Sequence, residues 1–350
     1  LEKRAFKKRP RLFPLFGVTF HVRQGLIIGK FFPPHKGHRF LIETAASQVD
    51  ALTVVVCDKR GESIPAKLRA KWVQEIHPKV RVLVVDDIGA EDDSKAWADY
   101  TLKFLGYCPD VIFTSEEYGE RYAHFLGADH VLVDRKRETV PISGTAVRNN
   151  PQGSWEYLDP PVRGFFALRV SIVGAESTGK TTLAKTLADH FQTVWVPEFG
   201  RQYTEGKMTS GNTKWESEEF IFIAEKQNQI EDDYSKQCNK LLICDTDSFA
   251  TSLWHERYLG FRSEKVDRMS TERTYALYLL AGDEIPFVQD GTRDGEHIRH
   301  DMQKQFEVEL KKRRKRFIHL SGSIEQRMKM AIDACESLLS NSQSIVRLTG

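Results

Sequence analysis

The chain has 350 residues, of which 40% are apolar and 29% charged, with a formal net charge of +2. That length exceeds what one hydrophobic core usually serves and suits two domains, in an ordinary soluble globular composition. The balanced charge argues against wholesale nucleic-acid binding, and no apolar run approaches the roughly 18 residues of a membrane span.

Residues 1–24 read as a short basic tail, with Lys3, Arg4, Lys7, Lys8, Arg9 and Arg11 solvated. Residues 25–150 read as a first domain. Leu26-Ile27-Ile28 has the apolar run of a buried strand, a Pro-Pro and Gly turn follows, and a helical pattern starts at His38. Further strands are expected at Leu52 to Cys57, Val80 to Val85, Val111 to Phe113 and Val131 to Val133. Helices are expected at Lys67 to Ile76, Ser94 to Leu105 and Tyr118 to Leu126. Such alternation specifies a parallel sheet flanked by helices. Residues 151–164, with Asp-Pro-Pro and Gly-Ser, read as a linker.

Residues 165–350 read as a second α/β domain. Its first strand is Ala167 to Val173, followed by a glycine-rich loop and a helix from Lys180 to Phe191. Later strands are expected at Thr193 to Val196, Leu241 to Cys244, Tyr275 to Leu280 and Phe317 to Leu320. Helices are expected at Glu216 to Cys238, Asp294 to Arg314 and Ile324 to Leu338. The cysteines Cys57, Cys108, Cys238, Cys244 and Cys335 are scattered, odd in number and lack zinc-site spacing. A reducing compartment follows, and without a visible signal peptide the expectation is cytoplasmic.

Two phosphate-binding signatures carry the chemistry. In the first, Gly29-Lys30-Phe31-Phe32-Pro33-Pro34-His35-Lys36-Gly37-His38 joins a strand to a helix, so imidazoles and free helix N–H groups converge on one anion. Ile142-Ser143-Gly144-Thr145-Ala146-Val147-Arg148 adds Ser143, Thr145 and Arg148 at the start of another helix. In the second, Gly174-Ala175-Glu176-Ser177-Thr178-Gly179-Lys180-Thr181 fits the Walker A pattern. Gly174, Ser177, Thr178 and Gly179 form the loop, Lys180 meets the β- and γ-phosphates, and Thr181, with Thr182 beside it, offers a hydroxyl to Mg²⁺. Leu241-Leu242-Ile243-Cys244-Asp245 is an apolar strand ending in a carboxylate suited to the metal's shell, and Asp247 follows on the same expected edge. Residues 286–296 read as a mobile lid, with Asp290 as a candidate substrate contact and Arg293 and Arg299 as candidates to reach a transferring phosphoryl group. Glu198, after a short strand, is placed to accept a hydroxyl proton.

The first pair of motifs resembles the His-x-Gly-His nucleotidyltransferase superfamily. Its order and spacing are similar to nicotinamide mononucleotide adenylyltransferases of the archaeal type, in which a tryptophan stacks on the nicotinamide. Trp97 falls where that pattern places it, with Trp72 the rival. The reaction implied is attack of the mononucleotide phosphate on the α-phosphorus of ATP, with charge neutralised by Lys30, His35, His38, Arg148 and Mg²⁺, and the product is NAD. The second half resembles nucleoside kinases.

The whole chain resembles the NadR-type bifunctional family, in which a Rossmann-like nucleotidyltransferase domain precedes a P-loop kinase domain. The resemblance implies that nicotinamide riboside is phosphorylated to nicotinamide mononucleotide and then adenylylated. Some members carry a helix-turn-helix repressor module. No room for it is visible before Leu26, so no DNA partner is expected, nor a membrane one; a homo-oligomer is compatible with the pattern. A pantetheine-phosphate adenylyltransferase fused to a coenzyme-A-type kinase, and a nucleotide sensor without turnover, are the alternative readings. Lys311 to Arg316 is a basic run, read as a solvated helix end in preference to a DNA patch.

Overall fold

In the computed structural model, residues 21–90, 93–212, 214–289 and 295–341 are described. They divide into two compact units between Val162 and Arg163. The first unit alternates β1 (Gln24–Gly29), α1 (Lys36–Ala46), β2 (Ala51–Asp58), α2 (Ala66–Ile76) and β3 (Arg81–Asp86). It continues with α3 (Ser94–Leu105), β4 (Val111–Thr114), α4 (Tyr118–Leu126), β5 (Asp129–Leu132) and α5 (Gly144–Asn149). Every strand pairing is parallel, in the order β3-β2-β1-β4-β5. Parallel neighbours need crossovers, and the helices supply them.

The central strands are apolar without alternation because both faces are covered. Ile27, Val54, Val56 and Phe113 pack with Leu41, Ile42 and Ala45 of α1 and Ala70 and Val73 of α2. Leu26, Val55 and Ile112 pack with Ala98 and Leu105 of α3 and Tyr122 and Leu126 of α4 on the other face. Strand order reverses between β1 and β4, so a crevice opens at their carboxyl ends, where ligands bind in open α/β sheets.

The stretch expected as a linker folds. It carries a 3₁₀ turn at Trp155–Tyr157 and α6 (Pro160–Phe166), and Trp155, Leu158 and Val162 are buried. Proline in a first helical turn forfeits no hydrogen bond, so the prolines that suggest a break start the helix instead. Arg39 of α1 donates to the buried carboxylate of Asp159 at 2.9 Å.

In the second unit β6 (Leu168–Val173) leads through the glycine loop to α7 (Lys180–His190) and β7 (Trp195–Val196). Then come α8 (Phe199–Thr209), α9 (Ser217–Ser235), β8 (Leu241–Asp245), α10 (Ser248–Leu259) and α11 (Glu264–Glu272). The unit ends with β9 (Leu277–Ala281), α12 (Arg299–Lys312), β10 (Phe317–Leu320) and α13 (Ile324–Asn341). Its strands are also all parallel, ordered β10-β9-β6-β8-β7. Val170, Ile172, Leu241, Ile243, Leu277 and Leu279 form a core with α7 and α13.

Helices α8, α10 and α11 are absent from the sequence expectations. No residue of α8 is buried, whereas α10 is buried on nearly all sides, so neither shows the apolar stripe on which helix recognition rests. The basic run is held by partners: Arg313 donates to Asp267 and Ser270 at 2.8 Å, Lys311 to Glu307 and Lys312 to Glu309. Among the described residues no helix is long and apolar enough to cross a membrane.

One buried acid sets an expectation for stability. Glu231 of α9 is 0% exposed, and Tyr275 donates to both of its carboxylate oxygens at 2.9 and 2.7 Å. Burial pushes its carboxyl up to about 8, with Arg273 pulling partly back. The folded state therefore holds a proton that the unfolded chain releases above about pH 4.5, so stability falls as pH rises from there to about 8. Between pH 5.5 and 8.5 the loss traceable to this group is about 1–3 kcal/mol. Glu231→Gln should flatten the pH dependence of the unfolding midpoint over that window; a slope identical to the wild type would count against the assignment.

Candidate functional site

A cavity of about 860 Å³ lies where the first crevice is expected, and its lining includes Gly29, Lys30, Phe31, His35, His38, Trp97, Ser143, Thr145 and Arg148. His35 starts α1 from extended backbone, and its Nδ1 accepts the N–H groups of Gly37 at 3.2 Å and His38 at 3.4 Å. An imidazole that accepts at Nδ1 carries its proton on Nε2, so His35 can donate there. His38 stacks on it, ring centroids 3.8 Å apart, and has its Nδ1 buried without a hydrogen-bond partner. Burial, reinforced by Arg137, pushes His35 down to about 4; burial, His35 and Arg137 push His38 down as well. Both imidazoles are thus neutral near pH 7 in the free protein. Without a phosphate present the two residues therefore offer hydrogen bonds in place of charge, because desolvation penalises the cation.

The second motif meets the first directly. A Cβ on Gly144 would stand 2.5 Å from the carbonyl oxygen of Phe32, so no larger residue fits. Ser143 caps α5 by accepting the N–H of Ala146 at 3.1 Å. Arg148 donates to the Phe32 carbonyl and, at 3.0 Å, to Thr145, and its guanidinium lies 4.4 Å from the Phe32 ring centre. Of the charge run before the motif, Arg137 lines the cavity and Arg135 pairs with Glu117. Trp97 lines the cavity and is half-buried against the α3–α4 core, whereas Trp72 is 4% exposed and does not line it.

In the second unit a cavity of about 300 Å³ is lined by Ser177, Thr178, Gly179, Lys180, Thr181 and Thr182 together with Glu198. Gly174 and Gly179 take positive φ of 141° and 79°, and a Cβ on Gly174 would lie 2.7 Å from the Ala281 carbonyl. Lys180 rests its ammonium on the carbonyls of Gly174 and Ala175 at 3.1 and 2.7 Å. Thr181 donates to Asp245 at 2.5 Å, and the other Asp245 oxygen is buried with no hydrogen-bond partner. Thr178 spends its hydroxyl on the Ala175 carbonyl at 2.9 Å, and Ser177 accepts the N–H of Val288 at 2.8 Å.

Glu198 precedes α8 without capping it. Burial pushes its carboxyl up to about 7, Lys180 pulls it back and Asp245 pushes it further up; burial raises Asp245 too, against Thr181 and Lys180.

Asp247 requires a correction. Thr246 takes φ of 70°, which ends the strand alternation, and Asp247 turns inward to cap α10 by accepting the N–H of Ala250 at 3.0 Å. It is 0% exposed and does not line the cavity. Arg299 is likewise buried, at the start of α12, where it donates to the Ser177 carbonyl at 3.0 Å. Arg293 and Asp290 lie outside the described residues.

Sequence reasoning misses an aromatic wall. Trp215, Phe220, Trp254 and Tyr258 line the same cavity, with Trp215 4.9 Å from Phe220 and 5.3 Å from Tyr258 between ring centres. Trp254 and Tyr258 stand one helical turn apart, a spacing that signals a shared face once α10 is recognised.

Residues 26–150 match the family described as cytidylyltransferase-like, and residues 169–327 match the AAA domain family. The chain is 33% identical over 293 residues to the trifunctional NAD biosynthesis/regulator protein NadR of Escherichia coli K12, covering 77% of this chain and 71% of that protein. The chain belongs to the NadR family. The Salmonella typhimurium NadR is 31% identical over 312 residues, covering 82% of this chain and 76% of its own. In fold, a NadR protein in complex with NR superposes with a TM-score of 0.73 at 20% identity, covering 91% of this chain and 96% of that one. A NadR protein with NAD and AMP-PNP gives 0.69 with the same identity and coverage.

Proposed function

We infer that the protein is a bifunctional NAD-salvage enzyme: its second unit phosphorylates nicotinamide riboside with ATP, and its first adenylylates the resulting mononucleotide to NAD and pyrophosphate. The observation that carries this reading is that each phosphate cradle shares its cavity with aromatic side chains, Trp97 in one and the Trp215–Tyr258 wall in the other. A flat cationic pyridinium is held by such rings at about 0.5–2 kcal/mol per contact.

In the first site, of the His-x-Gly-His nucleotidyltransferase type, the mononucleotide phosphate attacks the α-phosphorus of ATP as pyrophosphate departs. The attacking oxygen is already anionic, so no base is needed. Lys30, Arg148 and the neutral donors His35 and His38 align and stabilise the phosphates, helped by the N–H groups of the α1 and α5 starts. In the second, of the P-loop kinase type, Glu198 takes the proton of the riboside 5′-hydroxyl as it attacks the γ-phosphorus, and ADP leaves. Lys180 exchanges its loop carbonyls for phosphate oxygens. Thr181 and Asp245 would hold Mg²⁺, which fits the unpartnered Asp245 oxygen, and the ion supplies charge neutralisation to the phosphates.

The test is direct: incubate the full chain with nicotinamide riboside, ATP and Mg²⁺ and follow mononucleotide and NAD together. Appearance of both supports the reading, and conversion of pantetheine phosphate in their place would overturn it. Trp97→Ala should raise the KM for mononucleotide about 3- to 30-fold with the KM for ATP little changed, as loss of one stacking contact requires. Equal changes in both KM values would return Trp97 to core filling.

A further inference from the structure

Arg69 of α2 belongs to neither phosphate motif, yet its side chain is 0% exposed. A buried guanidinium is tolerated only when its donors are met. Arg69 meets them on two segments, the β2–α2 connection and the turn after β1: Nε donates to the Ile64 carbonyl at 2.9 Å, one terminal nitrogen to Glu62 at 2.5 Å, and the other to the Lys30 carbonyl. It also lies 5.3 Å from the ring centre of Phe32, the ring that Arg148 approaches from 4.4 Å.

Two consequences follow for the first cavity. Carbonyl and N–H point in opposite directions across a trans peptide, so holding the Lys30 carbonyl turns the Phe31 N–H away from α2. Phe31 itself sits at φ 49°, a conformation that a bulky residue keeps only when its surroundings enforce it. Glu62, for its part, lines the cavity with a carboxylate 11% exposed, and its charge reaches Arg148 as well as Arg69. An acid in a phosphate cavity repels the substrate, and would draw Arg148 from it, unless a fixed cation holds it.

We propose that Arg69 is a positioning residue for adenylyl transfer, which fixes the Lys30–Phe32 turn and keeps Glu62 paired so that Arg148 is not drawn to Glu62 and can meet the triphosphate of ATP. This rests on the adenylyltransferase reading of the cavity. Lysine cannot replace it fully, since a single ammonium does not span three acceptors in a fixed plane.

The experiment measures adenylylation of supplied mononucleotide by the full chain, with riboside phosphorylation by the same preparation as the check on folding. A wild type that makes no NAD would overturn the reading beneath the inference. With an active wild type, Arg69→Met should raise the KM for ATP about 10- to 100-fold while kcat falls less, the size of one lost charge-assisted interaction. Arg69→Met with Glu62→Gln should recover about 5-fold or more, because the carboxylate that the arginine holds is then gone. A merely structural arginine would show no such recovery. An unchanged KM for ATP in Arg69→Met, or a defect that Glu62→Gln leaves intact, would overturn the proposal. Should Arg69→Met lose the kinase as well, Arg69→Lys decides: a rise of about 3- to 10-fold in the KM for ATP supports the role, and wild-type kinetics refute it.

Discussion

Lys180→Ala should lower riboside phosphorylation by about 10²- to 10⁴-fold and leave adenylylation of supplied mononucleotide within about twofold of wild type. On the proposed kinase reading the ammonium meets the β- and γ-phosphates, and each charge-assisted hydrogen bond lost costs about 1.5–3 kcal/mol. His38→Ala should give the mirror result. It removes a partnerless buried nitrogen in the first cavity, whose lining residues all belong to the first unit. Riboside phosphorylation and NAD formation, measured separately on each folded variant, check both. A single substitution that abolished the two activities together would contradict independent sites.

Glu198→Gln is the second large effect. General base catalysis is worth about 10²- to 10⁴-fold, so kinase turnover should fall by that much with ATP binding nearly intact. The pH profile adds a sign. A base must be ionised, and the Glu198 carboxyl is pushed up to about 7 beside Asp245. The wild-type kcat/KM for riboside should therefore decline below about pH 7, with a limb that belongs to the Glu198–Asp245 pair as a unit. Glu198→Gln should be slow and nearly flat there. Near-normal turnover in the variant would move the base elsewhere; Asp247 is a poor substitute, since it is buried at the cap of α10 and does not line the cavity.

The phosphate cradles are legible in the sequence because anion binding at a strand-to-helix turn demands particular residues at fixed spacing. Glycine is required where a Cβ would strike a carbonyl, as at Gly174 and Gly144, and a lysine, histidine or hydroxyl must follow. The aromatic wall of the second cavity is not legible in this way. Trp215, Phe220, Trp254 and Tyr258 come from a connection and two helices, and only folding makes them neighbours. Asp247 shows a finer limit. Its two-residue spacing from Asp245 puts both on one face of an extended strand, but the positive φ of Thr246 breaks that parity, and nothing in a threonine announces it. The histidine charge state is similarly hidden, since burial is a property of the assembled cavity and not of the motif.

The seating of Gly144 against Phe32 also imposes an order on synthesis. Arg148 and the turn it grips are 116 positions apart. At about 5–20 residues per second, a ribosome needs roughly 6–23 s to pass from one to the other. Throughout that interval the nascent chain can pair β1 with β2 and close much of the sheet, yet the crevice has one wall missing. ATP can gain no full purchase on an unfinished first unit, and a fragment that ends before Ser143 should be silent in adenylyl transfer.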